Sequence, residues 1–280
     1  MSKTFLEFIC DNDDIELRNE IRNHVSKRFY KNIKSHKSII LVNDQPLEGY
    51  KTIKKGDIIK IEYDSLNTID WDIYESNIDI CYEDDNYLVL NKRPGLLSIP
   101  TKAEPFSLYQ EVLYYLKTSN QELNVSILNR LDKETKGLCV IAKNRLAAHY
   151  LQPTHEKMIR KYKCLCHGVA LKDSGIIETL IEKESDSHKR FVSFTSGKKA
   201  ISIYNVIKRN NDSTLFEFVL KTGRTHQIRL HTRHIGHPII GDSLYGEDLN
   251  NELHLCSYYV EFVNPFTNKI IKCEIKSGWE

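Results

Sequence analysis

Between residues 137 and 220 the chain is a succession of strand-like segments, and that run limits the folds open to it more than any other feature. Segments 137–143, 161–169, 176–182, 190–194, 201–208 and 215–220 are each short and rich in β-branched or aromatic residues. They follow one another instead of alternating with helical patterns, so the sheet is expected to be largely antiparallel and the class α+β. A doubly wound parallel fold is disfavoured. Segments 78–82 and 87–91 flank the turn 83–86 as a hairpin, Ser196-Gly197 signals another hairpin, and Ser107 can cap a helix running to about Lys117.

A second unit precedes this region. Residues 16–29 have a helical apolar spacing, 38–42 is a β-branched run closed by the turn pair Asn43-Asp44, and Gly56-Asp57 launches a strand over 58–63. The expected organisation is a small α+β unit over 1–63, a partly packed linker over 64–77 with Trp71 and Tyr74, and a larger domain over 78–280. Net charge is only +2, yet Arg18, Arg22, Lys27, Arg28, Lys31, Lys34 and Lys37 crowd one stretch, opposed there by Glu20. A local basic stripe attracts phosphate backbones over about a Debye length even when the whole chain is nearly neutral. The same pattern also suits a solvated face on a structural appendage.

Composition removes several classes. With 40% hydrophobic and 28% charged residues and no repeat, the chain is not a disordered one. Its longest apolar stretches, such as 137–142, fall far short of the roughly 20 residues a membrane span needs. The opening MSKTFLEFICDNDD turns acidic where a signal peptide would reach its cleavage site, so a cytoplasmic location is expected. Cysteines 10, 81, 139, 164, 166, 256 and 273 form no CxxC pair and read as reduced core thiols. Neither a GxGxxG nor a GxxxxGK loop is present, which disfavours nucleotide-dependent enzymes, and HExxH is missing too.

Three segments set charged residues inside otherwise buried patterns. In Asn129-Arg130-Leu131-Asp132-Lys133-Glu134-Thr135-Lys136-Gly137 a carboxylate sits at the mouth of a core strand beside an arginine and a glycine turn. Burying it is costly unless it is paired, so Asp132 is either half of a structural ion pair or part of a site. In Arg160-Lys161-Tyr162-Lys163-Cys164 the tyrosine shares a strand face with Cys164 and Cys166, as a core aromatic or as the wall of a cleft. In the segment from Lys221 to Pro238, Gly223 breaks a strand, Thr225 can cap the following helix, and Gly236 with Pro238 ends it. Arg224, His226, Gln227 and Arg229 then crowd a helix N-terminus, where phosphate binding is the natural use. Histidines 226, 231, 234 and 237 invite a metal reading, but Arg229 and Arg233 would repel a cation and no metal site is expected.

Together these segments resemble the RluA-type family of RNA pseudouridine synthases. The family's nucleophile motif is matched by Asn129-Arg130-Leu131-Asp132 with Glu134-Thr135 and Gly137, and its tyrosine motif by Lys161-Tyr162 leading to Gly168. Its third motif is matched from Thr222 to Arg229 and continues through Gly236-His237-Pro238-Ile239, Gly241-Asp242 and Tyr245-Gly246, with a fourth, weaker element at Asn91-Lys92 and Pro94-Gly95-Leu96. Departures are Asn129 in place of a common histidine, Lys136 in place of the usual serine, the inserted Arg93, and Cys256 in place of a common alanine. The small unit resembles, more loosely, an S4-type RNA-binding module, with Ser38 and Asp44 at positions where glycines are usual.

The resemblance implies an α+β catalytic domain with a mixed, largely antiparallel sheet and flanking helices. It further implies a cofactor-free isomerase that converts uridine to pseudouridine in ribosomal or transfer RNA and acts as a monomer. On this reading Asp132 is the nucleophile, Arg229 pairs with it, and Tyr162 stacks on the uracil and can take the C5 proton. Lys92, Arg130, Lys161, Arg224, Thr225, His226 and Gln227 contact RNA around a flipped nucleotide, and Arg18, Arg22, Lys27, Arg28 and Lys31 extend that contact. The competing class is a non-catalytic RNA-binding or ribosome-assembly protein, in which Asp132 and Arg229 have no task beyond an ion pair.

Overall fold

The computed structural model describes residues 3–25, 30–31, 33, 38–64, 74–121, 123–151, 158–185, 187, 189–246 and 252–279. They fall into two compact units, Met1–Asp72 with Asn144–Tyr150 and Ile73–Lys143 with Leu151–Glu280. The segment 144–150, expected within the larger domain, thus clusters with the small one.

The first unit contains β1 (Lys3–Ile9), β2 (Ile15–Glu16), α1 (Leu17–His24), β3 (Ile39–Val42), β4 (Gln45–Pro46), β5 (Thr52–Ile53) and β6 (Ile58–Asp64). Its main sheet runs β1-β6-β3-β4 with every pair antiparallel, and β2 pairs with β5. Asn43 and Asp44 both take positive φ, the tight turn that their short polar side chains tolerate between β3 and β4. Leu17, Ile21, Ile59 and Ile61 are fully buried in this unit's core, and Leu146 joins them. α1 ends at His24, earlier than its apolar spacing suggests; Lys27, Arg28, Lys34, Lys37 and Trp71 lie outside the described residues.

The second unit follows with β7 (Asp79–Glu83), β8 (Tyr87–Lys92), α2 (Leu108–Thr118), β9 (Ser126–Ile127) and β10 (Lys136–Ala142). After α3 (Arg145–Leu151) come β11 (Met158–His167), β12 (Ser174–Lys183), β13 (Arg190–Ser193), β14 (Lys198–Arg209) and β15 (Ser213–Leu220). The remaining elements are α4 (Gln227–His234), β16 (Leu255–Val263) and β17 (Ile270–Glu274). They build one sheet in the order β13-β12-β14-β15-β11-β16-β10-β8-β7, with β17 beside β16 and β9 beside β10. The pairings are antiparallel except at β10 and β16, which run parallel at Lys136–Cys256 and Gly137–Ser257. The architecture is α+β with a mixed, mostly antiparallel sheet.

Two features differ from expectation. Ser196-Gly197 does not turn a hairpin, because β12 lies between β13 and β14 and the turn steps over it. The central strand β16 and its partner β17 lie outside the strand-like segments read from the sequence, yet β16 joins the two halves of the sheet. β11 alternates as expected, with Arg160, Tyr162, Cys164 and Cys166 buried on one face and the last three packed with Phe216 and Phe218 of β15. Of the cysteines, Cys81 is exposed and the others are buried.

Candidate active site

A cleft of about 710 Å³ opens where β11, the loop before β10 and the start of α4 meet. Residues 97–99 and 127–133 with Thr135, Arg160 and Tyr162, residues 223–229, and Leu220 with Leu255 line it. Asp132, Tyr162 and Arg229, far apart in the chain, are thereby brought to one cavity.

The loop carrying Asp132 is pinned from below by buried polar side chains. Asn129 Nδ2 donates to the Leu138 carbonyl at 3.0 Å, and its Oδ1 accepts from the Val140 amide at 2.7 Å, so the loop is tied to β10 on both sides. Ser98 Oγ donates to the Leu131 carbonyl at 2.7 Å and accepts from the Leu131 amide at 3.0 Å. Lys92, only 1% exposed, donates from Nζ to the carbonyls of Arg93, Leu96 and Lys133 at 2.8 to 2.9 Å. Burial pulls its pKa down to about 8, against the opposing pull of Cys139, Glu134 and Asp132. All three ammonium hydrogens are spent on backbone carbonyls, one of them in the Asp132 loop, so Lys92 is a buried strut and not a phosphate contact. Asn129 thus performs a backbone-bridging task at the position where a histidine is common in the family it resembles.

Asp132 itself is half-buried, and among the described residues its carboxylate makes neither a hydrogen bond nor an ion pair. Arg229 is not its partner. The guanidinium, 3% exposed, forms a fork with Asp242: Nε donates to Oδ2 at 2.8 Å and Nη2 to Oδ1 at 2.5 Å. Burial opposes the charge of Arg229, but the Asp242 bonds outweigh it and the pKa rises, with Asp132 adding a weaker attraction. Asp242 wins because it is itself buried and its Oδ1 also accepts the amides of Leu244 and Tyr245, which fixes it in the turn after α4. Arg229 therefore contributes a field near Asp132 without touching it.

Tyr162 is buried on the cleft wall, and that burial raises its phenol pKa. Arg160, one strand repeat away on the same face of β11 and 7% exposed, lines the cleft beside it. Sequence reasoning passed over this arginine, although the period-2 alternation that placed Tyr162 places Arg160 with it. Ser98 was missed as well, and nothing in its local sequence marks it. The Thr135 hydroxyl is buried, lines the cleft and has no hydrogen-bond partner among the described residues.

α4 begins at Gln227 and not at Thr225; the residue before it, His226, takes the left-handed conformation with φ +59°. Thr225 is an exposed cleft residue. Arg130 is exposed on the rim, and Arg224 lines the cleft with its Nε donated to the Lys199 carbonyl at 2.9 Å.

Other expected contacts are corrected by their surroundings. Gln227 spends its amide on Ile201, Ser202, Thr222 and the Arg224 amide and is buried. Lys161 points from the opposite face of β11, toward Glu217 and the Tyr259 ring, because successive strand side chains alternate. Lys136 turns to Glu252 and Trp279. His231 is buried between Thr179 and Ser202, and His237 Nδ1 meets the His167 carbonyl, so these histidines do not converge on one another. Arg18, Arg22 and Lys31 belong to the first unit, where Arg18 pairs with Glu16 at 2.5 Å.

Known proteins with this architecture define the class. The solved structure of Human RNA Pseudouridylate Synthase Domain Containing 1 superposes on 72% of this chain and 85% of its own with a TM-score of 0.60, at 22% identity, which establishes a common fold. The sequence carries the assignment further. Residues 86–234 match the RNA pseudouridylate synthase family. The uncharacterized RNA pseudouridine synthase YjbO of Bacillus subtilis is 30% identical over 252 residues, covering 88% of this chain and 89% of its own. The ribosomal large subunit pseudouridine synthase D of Buchnera aphidicola is 35% identical over 253 residues, with 82% and 76% covered. The chain belongs to the RNA pseudouridylate synthase family and is an isomerase acting on uridine in RNA.

Proposed function

We propose that the cleft receives a uridine flipped out of a folded RNA and that Asp132 is the nucleophilic carboxylate. One observation carries this reading: among the described residues lining the cleft Asp132 is the sole acidic side chain, surrounded by Arg130, Lys133, Arg160, Arg224 and Arg229. Such a wall favours a polyanion, while the single carboxylate is held by a pinned loop and left without a partner of its own.

The reaction breaks the N1–C1′ bond, turns the detached uracil and joins C5 to C1′; the C5 proton leaves and N1 gains one, with no net redox change. Asp132 opens it at the ribose or the base. Tyr162 offers a ring face for the uracil. Burial raises its phenol pKa, which disfavours the phenolate that would have to take the C5 proton. Arg160, buried beside that ring, is suited to charge developing on the detached uracil, and the Thr135 hydroxyl is a free donor for it. Arg130 and Arg224 meet flanking phosphates. Extruding the nucleotide costs a few kcal/mol of unstacking, which these contacts offset. Relatives named ribosomal large subunit pseudouridine synthases C and D favour ribosomal over transfer RNA as the substrate. The first unit, S4-like in its order of elements, adds RNA contact through Arg22 and Lys31.

RNA carrying 5-tritiated uridine tests the nucleophile. The wild-type protein is expected to release tritium from large-subunit ribosomal RNA, and Asp132→Ala to release none while still binding it. Retained release in Asp132→Ala would remove Asp132 from the mechanism.

A further inference from the structure

Tyr245 had no role in the sequence-based site, yet its hydroxyl holds two groups at once. The oxygen lies 2.9 Å from the Arg190 backbone nitrogen and 2.7 Å from His226 Nδ1. The amide can only donate, so it occupies a lone pair of the hydroxyl. The hydroxyl hydrogen then has one acceptor in place, the Nδ1 of His226. The opposite assignment, with Nδ1–H donating to the oxygen, would leave the phenol hydrogen of a 6%-exposed side chain with nothing to bind. An Nδ1 that accepts is an Nδ1 without a proton, and in a neutral imidazole the proton is then on Nε2.

We propose that Tyr245 is a positioning residue that fixes His226 in its Nε2–H tautomer, so that the imidazole serves bound RNA as an uncharged hydrogen-bond donor. The RNA contact rests on the occupancy of the cleft proposed above; the tautomer does not. His226 lines the cleft, and among the described residues its Nε2 has no hydrogen-bond partner. Its left-handed backbone just before α4 and the ring of Tyr245, edge-on at 5.5 Å, fix its direction. Tyr245 is in turn fixed by its backbone amide, which donates to Asp242 Oδ1, and by the Arg229 guanidinium over its ring at 5.3 Å. The charged groups facing the imidazole are Asp132, Arg229, Arg190 and Asp242; burial lowers its pKa, the two carboxylates oppose that shift and the two arginines add to it. The ligand class is an RNA oxygen that accepts one hydrogen bond, which differs from the phosphate pairing expected of a cation.

Imidazole 15N NMR on the full chain, with His226 assigned by the loss of its signals in His226→Gln, reads the tautomer directly. Wild type is expected to show Nδ1 unprotonated and Nε2 protonated at neutral pH, and Tyr245→Phe to show mixed tautomers with a raised His226 pKa. A wild-type proton on Nδ1 overturns the proposal. In tritium release from 5-tritiated large-subunit ribosomal RNA, His226→Gln, which keeps a neutral N–H, should stay within about tenfold of wild type in kcat/KM, whereas His226→Leu and Tyr245→Phe should fall further. The double variant Tyr245→Phe/His226→Gln should be no worse than His226→Gln; an additive loss means that Tyr245 acts elsewhere. The salt dependence of RNA binding should not change in His226→Leu, whereas loss of a phosphate-neutralising cation lowers the slope by about 0.7 to 0.9. Failure of the synthase reading is seen separately, as absent release by wild type with the NMR result intact.

Discussion

His226, just before α4, and His231, within it, have surroundings that give them opposite tasks. His231 is fully buried with Nε2 3.0 Å from Thr179 Oγ1 and Nδ1 2.9 Å from Ser202 Oγ. Burial, with a smaller contribution from the neighbouring His234, lowers its pKa from 6.5 to about 4. The folded state thus binds the proton less tightly than the unfolded chain. The resulting stability is complete above pH 6.5 and is lost as pH falls toward 4, about 3 kcal/mol for a difference of about 2.5 units (6.5 less 4). Urea unfolding midpoints should therefore drop between pH 6.5 and 4, and His231→Gln should flatten that part of the curve; an unchanged slope would show that His231 is not buried neutral. Residue type alone could not separate the two histidines, since both sit in the same charged motif.

At the scale of elements, the candidate nucleophile depends on how a loop is attached to β10. Asn129, Ser98 and Lys92 reach it from three directions, and Gly137 allows β10 to lie against β16. A Cβ at Gly137 would stand 2.3 Å from the Ser257 carbonyl oxygen, and φ there is +117°. Gly137→Ala meets a fixed backbone as well as strain, and a loss on the order of 3 kcal/mol or more is expected, read as a lowered urea midpoint with reduced soluble yield. A loss below about 1 kcal/mol would mean that the parallel seam between β10 and β16 is looser than described. The seam was not legible in sequence because β16 pairs with strands about 100 residues away, and a pairing at that distance leaves no local pattern. The strands β11 to β15 were legible because each is a short run rich in β-branched or aromatic residues, and β11 and β12 also alternate on their own.

For the whole molecule, charge is distributed and not accumulated. The net charge of +2 conceals a cationic cleft wall in one unit and Arg22 and Lys31 in the other. If the first unit holds RNA, Arg22→Ala with Lys31→Ala should raise KM for ribosomal RNA several-fold and shallow its salt dependence, with tritium release at saturating RNA unchanged. An unaltered KM and slope would return these side chains to the role of a solvated face. Arg18 is a poorer probe because Glu16 already occupies it.

By itself the sequence determined what depends on local pattern and residue chemistry: the α+β class, the run of antiparallel strands, and the three segments whose charged residues meet at one cleft. It also named Asp132, Tyr162 and Arg229 as residues of a common site. Which charge faces which was decided only in three dimensions. Arg229 forks onto Asp242 instead of Asp132, Lys92 and Gln227 turn inward, Lys161 lies on the wrong strand face, and Tyr245 holds His226. Lys161 follows from strand alternation, and for the others the physical reason is common. A buried polar atom must find a partner or lose its hydration uncompensated, and the nearest partner is set by packing among distant segments and not by neighbours in the chain.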